Sequence, residues 1–268
     1  MNTAPLLINL AVSALAVAVT MLATMAYALR TGTQSVVDTI WGLGFVVIAA
    51  VTFVVSGLQG EGLTGRRVLV LALTAIWGLR LGLYIHARNR GQGEDPRYAA
   101  LMRRNTGPVV PFVLKNIYWA QGWVMWVVSL PVQFAMYQTG GLTLLVWLGA
   151  ALWLVGIAFE AIGDWQLSRF KSDPANRGAL LDSGLWAWTR HPNYFGDATV
   201  WWGLFLIACA HWSGLITVVG PLLMTHMLVN KSGKALLERG MSRRRGPEYA
   251  AYVARTSGFF PRPPRRTA

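Results

Sequence analysis

One short polar segment interrupts an otherwise apolar chain, and its side chains are of the kinds that bind ligands and move protons. Residues 180–202 read LLDSGLWAWTRHPNYFGDATVWW, with long apolar runs before and after them. The polar and ionisable side chains of this segment are Asp182, Arg190, His191, Asn193, Tyr194 and Asp197. Because such groups are costly to place beside a bilayer, their presence here indicates a functional site.

Further ionisable side chains lie near the ends of the apolar runs. Arg80, Tyr84 and Arg88 follow one another at four-residue intervals, so they share one face of a helix. Asp38 lies at the start of an earlier run, and Asp164 closes a later one. Two interpretations stay open for these groups. They either pair across helices, for example Asp38 with Arg80 or Arg88, or line a shared polar cavity that opens to the cytoplasm.

The residue types restrict the chemistry of such a cavity. The sequence has no glycine-rich dinucleotide fingerprint, no P-loop and no HExxH motif, and its four His have no ligand spacing. We therefore expect no metal site, and the single Cys209 excludes an internal disulfide. Clustered Arg and Lys fit a polyanionic ligand such as a dinucleotide. A Tyr hydroxyl suits proton donation to a carbonyl oxygen.

The elements that must position these groups are membrane helices. Of the 268 residues, 54% are hydrophobic and only 13% are charged, where a soluble domain usually has about 25%. Apolar runs of spanning length, without period-two alternation, predict an all-α integral membrane protein with a single membrane domain. Seven transmembrane helices are expected, at 5–29, 36–58, 67–87, 115–137, 142–163, 197–212 and 213–231.

The basic residues predict an orientation for these seven helices. With seven spans, 21 of the 24 Lys and Arg fall on the same side as the C-terminus. By the positive-inside rule the N-terminus is outside and the C-terminus is cytoplasmic, which suits an inner membrane of bacteria. The net charge of +13 is therefore attributed to topology and to contact with membrane lipids. Nucleic-acid binding is not expected, because no recognised motif accompanies the charge.

The segment GDWQLSRFKSDPANRGALLDSGLWAWTRHPNYFGDATVWW resembles the C-terminal domain of the steroid 5-alpha-reductase family, specifically its bacterial members. The resemblance covers residues 160–261 and includes the ending PEYAAYVARTSGFFP, and VVDTIWGLGF and WGLRLGLYIHARNRG are more loosely similar. It implies a monomeric seven-helix enzyme that holds NADPH in a cytoplasm-facing intramembrane cavity. Hydride would pass to the double bond of an apolar enone, steroid-like or lipid. Residues 1–137 would supply substrate-side groups, 138–261 would bind the cofactor, and 262–268 would form a basic tail.

The same resemblance assigns roles to individual residues. Tyr84 is similar to the catalytic Tyr that hydrogen-bonds the substrate ketone, and Asp38 stands where the family has a Glu for the same oxygen. A protonated Asp38 would then assist Tyr84. The cofactor-binding positions implied are Arg88, Asp164, Arg169, Lys171, Arg177, Gly184, Leu185, Arg190, His191, Asn193, Tyr194 and Asp197. Lys231 occupies a region where family members often have a His.

A second enzyme class shares part of this pattern. RHPNYFG also resembles the RHPxYxG stretch of membrane methyltransferases, which bind S-adenosylmethionine and modify prenylated cysteine or phospholipids. Those enzymes typically carry paired Glu residues in their last helix, whereas this chain has only Glu238 in KSGKALLERG. A membrane scaffold or transporter is a third alternative, although apolar segments interrupted at matching places in two halves are not evident.

Overall fold

The structure, a computed structural model, describes residues 3–231 and 233–264, with only the backbone described for Leu236. Within these residues, every regular element is a helix, and an isolated β-bridge joins Thr189 to Ser257. The predicted all-α class is confirmed for the described part of the chain. Of the predicted basic tail 262–268, residues 265–268 lie outside the described residues.

Five helical segments among the described residues are long and apolar enough to cross a membrane. They are Thr3–Thr31, Val36–Leu58, Thr64–Asn89, Leu144–Ser172 and Trp212–Lys231. These five correspond to predicted spans, and their length and apolarity support the membrane class of the chain. Helix Val36–Leu58 begins and ends at the predicted residues.

Two other predicted spans form interrupted or shorter helices. The region predicted as 115–137 comprises the π-helix Leu114–Trp119 and the α-helices Ala120–Val128 and Leu130–Met136, and the short helix Val109–Val113 precedes it. Pro131 lies in the first turn of Leu130–Met136, where its missing N–H is tolerated, and the preceding helix ends at Val128. The region predicted as 197–212 is helix Pro192–Ala208, which has 17 residues.

The chain divides into two compact units. Unit 1 contains residues 1–146 and 207–220, and unit 2 contains residues 147–206 and 221–268. We number the helices that matter below in chain order: α1 (Thr3–Thr31), α2 (Val36–Leu58), α3 (Thr64–Asn89), α4 (Pro96–Met102), α5 (Leu144–Ser172), α6 (Pro192–Ala208), α7 (Lys234–Arg245) and α8 (Pro247–Arg255).

In unit 1, small residues allow α2 and α3 to pack closely. A methyl group added at Gly42 would collide with the carbonyl oxygen of Gly78, and one at Gly82 would approach the carbonyl oxygen of Thr39. Close backbone approach through small residues is a common basis of helix association in membranes, where dispersion contacts replace the hydrophobic effect. This packing fixes α3 against α2, and these helices carry Tyr84 and Asp38.

Unit 1 also contains a polar network whose amide and hydroxyl side chains are buried. The side-chain oxygen of Gln133 accepts hydrogen bonds from Ser13 Oγ at 2.7 Å and from Asn9 Nδ2 at 3.1 Å. Trp126 Nε1 donates to Ser13 Oγ at 3.1 Å. Thr52 accepts a weaker bond from Asn9 at 3.4 Å. Because buried polar groups in an apolar medium need partners, this network specifies how α1 meets its neighbours.

In unit 2, α5 and α6 pack through glycines spaced seven residues apart. Gly149, Gly156 and Gly163 lie on α5, and Gly196 and Gly203 lie on α6. A methyl group added at Gly196 would collide with the backbone of Gly156 and Glu160. A seven-residue repeat keeps side chains on one face over two helical turns, so it places these glycines along the contact. The same contact brings the start of α6 beside the end of α5.

Candidate functional site

The irregular segment between α5 and α6 is anchored on the last turns of α5. Gln166 Oε1 accepts a hydrogen bond from the backbone N–H of Leu185 at 3.1 Å, and Trp186 Nε1 donates to the carbonyl oxygen of Gly163 at 3.2 Å. Gly184 has φ +60°, and a side chain there would collide with Gln166. The predicted Gly184–Leu185 turn is therefore a close approach of backbone to α5, which only glycine permits at position 184.

Two of the predicted cofactor-binding residues contact each other at this junction. Asn193 Nδ2 donates to Asp164 Oδ1 at 3.1 Å, and Asn193 Oδ1 accepts from the backbone N–H of Tyr194 at 3.1 Å. Asp164 is only 4% exposed. The amide of Asn193 thereby orients the buried carboxylate. Asp197 is also buried, one turn further along α6.

A cleft of about 510 Å³ lies at the same end of α5. It is lined by Trp165, Gln166, Arg169, Phe170, Ser172, Asp173, Asn176, Leu181 and Ser183. The guanidinium of Arg169 lies over the Trp165 ring, with its carbon 5.5 Å from the ring centroid. A cationic group beside aromatic faces, amides and hydroxyls can bind a base or a phosphate.

The two other bases predicted to meet phosphates are exposed on the surface, and in the sequence they lie close to residues that line the cleft. Lys171 is exposed in the last turn of α5, and Arg177 is exposed after the short 3₁₀ turn Pro174–Asn176. Neither side chain lines the cleft itself. Of the three predicted bases, the structure therefore brings only Arg169 to the cleft wall.

Arg190 and His191 are buried in contacts with a residue that the sequence interpretation did not place in the site. Glu238 Oε1 on α7 accepts from Arg190 Nε at 2.8 Å and lies 3.2 Å from His191 Nε2. The His191 ring is stacked on that of Tyr194, with centroids 5.4 Å apart. Arg190 Nη1 also donates to the carbonyl oxygen of Thr256 at 2.6 Å. These contacts occupy both side chains within unit 2.

The protonation of this cluster follows from its contacts. Burial alone would raise the pKa of Glu238, but the hydrogen bonds from His191 and Arg190 outweigh it and lower that pKa to about 2. Burial lowers the pKa of His191, and the carboxylate of Glu238 only partly opposes that effect. At neutral pH the cluster therefore contains a carboxylate and a guanidinium, with His191 favoured in its neutral form.

Asp38 in unit 1 is engaged by residues that the sequence interpretation did not name. Asp38 Oδ1 accepts from the Tyr98 hydroxyl at 2.6 Å, and Asp38 Oδ2 pairs with Arg97 Nη2 at 2.6 Å. Neither pairing proposed from sequence, with Arg80 or with Arg88, is the observed one. Arg97 and Tyr98 therefore occupy both carboxylate oxygens of Asp38.

The segment that carries Arg97 and Tyr98 is itself fixed to the start of α2. The carboxylate of Glu94 accepts hydrogen bonds from the backbone N–H groups of Gln34 and Ser35. A carboxylate at a helix N-terminus satisfies otherwise unpaired donors and is stabilised by the helix dipole. Asp95 caps α4 by accepting from the backbone N–H of Arg97 at 2.8 Å.

Tyr84, the other predicted catalytic residue, is half-buried on α3. The guanidinium carbon of Arg88 lies 6.0 Å from the centroid of the Tyr84 ring, one turn further along the helix. The predicted sharing of one helix face by these two side chains is confirmed.

Among the described residues, no group of three or more His, Cys, Asp or Glu side chains could hold a metal ion.

Sequence reasoning missed Glu238 and Tyr98 as partners of predicted site residues. Glu238 is 48 residues from Arg190, and Tyr98 is 60 residues from Asp38. No periodicity connects positions so far apart. The sequence offered two signals for Glu238: its place in the segment where the membrane methyltransferases carry paired Glu, and the rarity of acidic residues, 11 in a chain with 24 Lys and Arg.

Comparison with known proteins places the chain in a family. An uncharacterized protein of Schizosaccharomyces pombe, C594.04c, is 25% identical over 261 residues, which cover 87% of this chain and 74% of that protein. No solved structure is significantly similar to the chain. The model of the family described as "Protein of unknown function (DUF1295)" matches residues 24–256, and the chain belongs to that family.

Proposed function

We propose that this protein is a membrane-embedded reductase that uses NADPH to reduce the carbon–carbon double bond of an enone in an apolar, steroid-like or lipid substrate. One observation carries the proposal. The buried pair Asp164–Asn193 and the cleft that begins at Trp165 lie together at one end of α5. The pair offers a carboxylate and an amide, and the cleft offers Arg169 beside two aromatic rings.

The residues at this end of α5 fit such a cofactor. Arg169 is exposed, and its guanidinium has no carboxylate partner within the part of the chain that the structure describes, so it is suited to a phosphate. Trp165 and Phe170 offer ring faces for a base. The oxygens of Asp164 and Asn193 are suited to a carboxamide or a ribose hydroxyl. When bound, NADPH supplies the hydride.

The protein's own residues would bind and polarise the substrate. The Tyr84 hydroxyl would donate a hydrogen bond to the carbonyl oxygen of the enone, since a phenol stays protonated near neutral pH. A donor aimed at developing negative charge lowers a barrier by about 2.7–4 kcal/mol in comparable sites. Asp38, the proposed partner of Tyr84 at the same oxygen, is held by contacts with Arg97 and Tyr98.

The proposal includes the architecture expected from the sequence. Seven spans would place the end of α5, the following segment, and helices α7 and α8 on the cytoplasmic side. The cytoplasm is the compartment that would supply NADPH. The five long apolar helices and the basic composition of these segments support this arrangement. The protein would act as a monomer on a substrate that reaches it from the bilayer.

Isotope transfer tests the proposal. Purified protein in lipid nanodiscs is incubated with NADPH deuterated at the transferable position and with a panel of 3-keto-4-ene steroids and shorter enones. The proposal predicts one deuterium in a saturated product. Arg169→Gln should slow the reaction at low NADPH, whereas Arg239→Gln, which removes the same charge from the exposed face of α7, should not. Label-free products or no product from every enone would contradict it.

A second candidate, transfer of a methyl group from S-adenosylmethionine to a lipid or prenylated cysteine, is favoured by a different observation. Glu238 binds both Arg190 and His191 of the RHPNYFG stretch, the stretch that resembles the membrane methyltransferases. A single acidic residue thus contacts the motif, although the paired Glu of those enzymes is absent from α7. An increase in melting temperature with S-adenosylmethionine but not with NADPH would select this candidate.

A further inference from the structure

The last part of the described chain is attached to the segment that connects α5 with α6. We call residues 245–262 the C-terminal strap and residues 177–191 the connecting loop. Arg245 donates from Nη1 to the carbonyl oxygen of Gly178 at 2.7 Å and from Nη2 to that of Ala179 at 2.6 Å. Arg255 pairs with Asp182. All of these residues belong to unit 2.

Backbone contacts continue this attachment along the loop. The Tyr252 hydroxyl donates to the carbonyl oxygen of Trp186 at 2.5 Å. The backbone N–H of Arg262 donates to the carbonyl oxygen of Trp188 at 3.0 Å, and that of Arg190 donates to Ser257 at 2.9 Å. The strap therefore satisfies loop carbonyls from one end of the loop to the other, which a loop without regular structure cannot do by itself.

The opposite side of the loop forms a wall of the cleft. Leu181 and Ser183 line the cleft, and they lie directly beside Asp182, which Arg255 holds. Leu185 and Trp186 are bound to Gln166 and Gly163 of α5. The loop is thus held between α5 and the strap, and the side chains of the strap that contact its first part, residues 177–183, are Arg245 and Arg255.

We propose that Arg245 and Arg255 are positioning residues that set the ligand affinity of the cleft by holding the wall formed by Leu181 and Ser183. Neither side chain lines the cleft, so each acts through the loop. A wall that must be ordered when the ligand binds reduces affinity, because the ordering entropy is lost at that moment. The identity of the ligand, NADPH, rests on the function proposed above, but the ordering of the loop does not.

The run Arg243-Arg244-Arg245 offers a matched control for this proposal. Arg245 binds the loop, whereas Arg243 is exposed on the same helix and makes no ion pair or side-chain hydrogen bond within the described residues. Arg245→Gln and Arg243→Gln therefore remove the same charge from the last turn of α7. Arg245→Gln loses the contact with the loop and also the exposed ion pair with Glu248, which Glu248→Gln removes separately.

Hydrogen–deuterium exchange of the full chain in nanodiscs, without any ligand, tests the ordering of the loop. Arg245→Gln and Arg255→Gln should each accelerate exchange in peptides covering 177–183 by about tenfold, while peptides from α1 to α3 keep the wild-type rate. Arg243→Gln should leave the loop unchanged. Equal exchange in Arg245→Gln and the wild type would overturn the proposal, whatever the ligand of the cleft is.

Affinity for NADPH tests the consequence. Arg245→Gln should raise the Kd on the order of tenfold and raise KM for NADPH, with kcat at saturating NADPH close to wild type. Arg245→Lys should restore little of the affinity, because one ammonium cannot reproduce the forked contact with two carbonyl oxygens. A loop that exchanges faster without any change in Kd would overturn the positioning role. Absence of NADPH binding in the wild type would instead contradict the proposed function.

Discussion

Glu238 shows how much a single residue contributes to the environment of the RHPN stretch. Its carboxylate is the only acidic partner of Arg190 and His191 in the described chain, and both of those side chains are at least 90% buried. A buried guanidinium left without its carboxylate retains the full cost of its desolvation. The cluster therefore functions as a fixed support that holds the start of α6 against α7.

Replacement of Glu238 tests this support. Glu238→Gln should destabilise the protein by roughly 1.5–3 kcal/mol, the usual contribution of hydrogen bonds to charged groups. Thermal unfolding followed by tryptophan fluorescence would show a lower Tm at pH 7. Glu248→Gln is the control, since Glu248 pairs with Arg245 at a side chain that is 54% exposed, and little change is expected there. A Glu238→Gln protein with the wild-type Tm would contradict the support role.

The same cluster predicts a pH dependence with a defined sign. The pKa of Glu238 is depressed to about 2 from its ordinary value of 4.5, so the folded state binds its proton less readily than the unfolded state. Its stabilising contribution is therefore complete above about pH 4.5 and is lost as the pH falls towards 2. Wild-type Tm should drop more steeply than that of Glu238→Gln between pH 5 and 3. Parallel Tm profiles would show that the carboxylate is not the cause.

Substitutions at Tyr84 and Tyr98 distinguish a proposed catalytic hydroxyl from a structural one in unit 1. Tyr84→Phe removes only the proposed donor to the substrate, so it should lower kcat by about 10²–10³ while the Kd for NADPH stays close to wild type. Tyr98→Phe removes the hydroxyl that binds Asp38 and should lower Tm with a smaller effect on kcat. Steady-state rates and cofactor titration provide the measurements. Equal loss of turnover and NADPH affinity in Tyr84→Phe would contradict its role.

At the scale of elements, the glycine-lined contact between α5 and α6 determines where Asp164 and Asn193 meet. Gly156 on α5 and Gly196 on α6 bring the two backbones together, and Gly163 approaches Pro192 and Asn193 at the end of the same contact. Small residues at such crossings are required because any side chain would separate the helices. The geometry of the site is thus a consequence of helix packing several turns away from it.

Enlarging one of these glycines tests that dependence. Gly196→Ala places a methyl group against the backbone of Gly156 and Glu160, so it should cost about 1–3 kcal/mol and weaken ligand binding at the end of α5. Gly240→Ala in α7 meets only the end of the Arg244 side chain and should be neutral or slightly stabilising. Melting temperatures of the two variants provide the comparison. Similar Tm values for both would show that the contact tolerates separation.

The elements also show what a sequence can specify. Apolar runs predicted seven spans, and five of these correspond to long apolar helices, because burial in a bilayer requires both length and apolarity. The bounds of Val36–Leu58 agree to the residue. Hydropathy alone could not locate the break before Pro131 or the π-helix Leu114–Trp119, since these depend on backbone geometry and neighbouring packing. The resemblance brought Asp164 and Asn193 into one site, but it gave no indication of the Asp38–Tyr98 or Arg190–Glu238 contacts, which depend on tertiary structure.

At the scale of the whole molecule, each unit concentrates one set of groups. Unit 1 carries Tyr84 and the Asp38–Arg97 ion pair on and beside apolar helices. Unit 2 carries the carboxylate–amide pair, the cleft, and the C-terminal strap. The family model matches residues 24–256, which include both sets of groups except residues 257–262 of the strap. The proposal that the molecule is a reductase therefore depends first on which nucleotide unit 2 binds.

Calorimetric titration of the full protein in nanodiscs, with NADPH, NADH and S-adenosylmethionine added separately, measures that choice most directly. The account predicts saturable binding of NADPH that Arg169→Gln weakens and Arg239→Gln leaves intact, with no heat of binding for S-adenosylmethionine. Saturable binding of S-adenosylmethionine, together with none for NADPH, would contradict it.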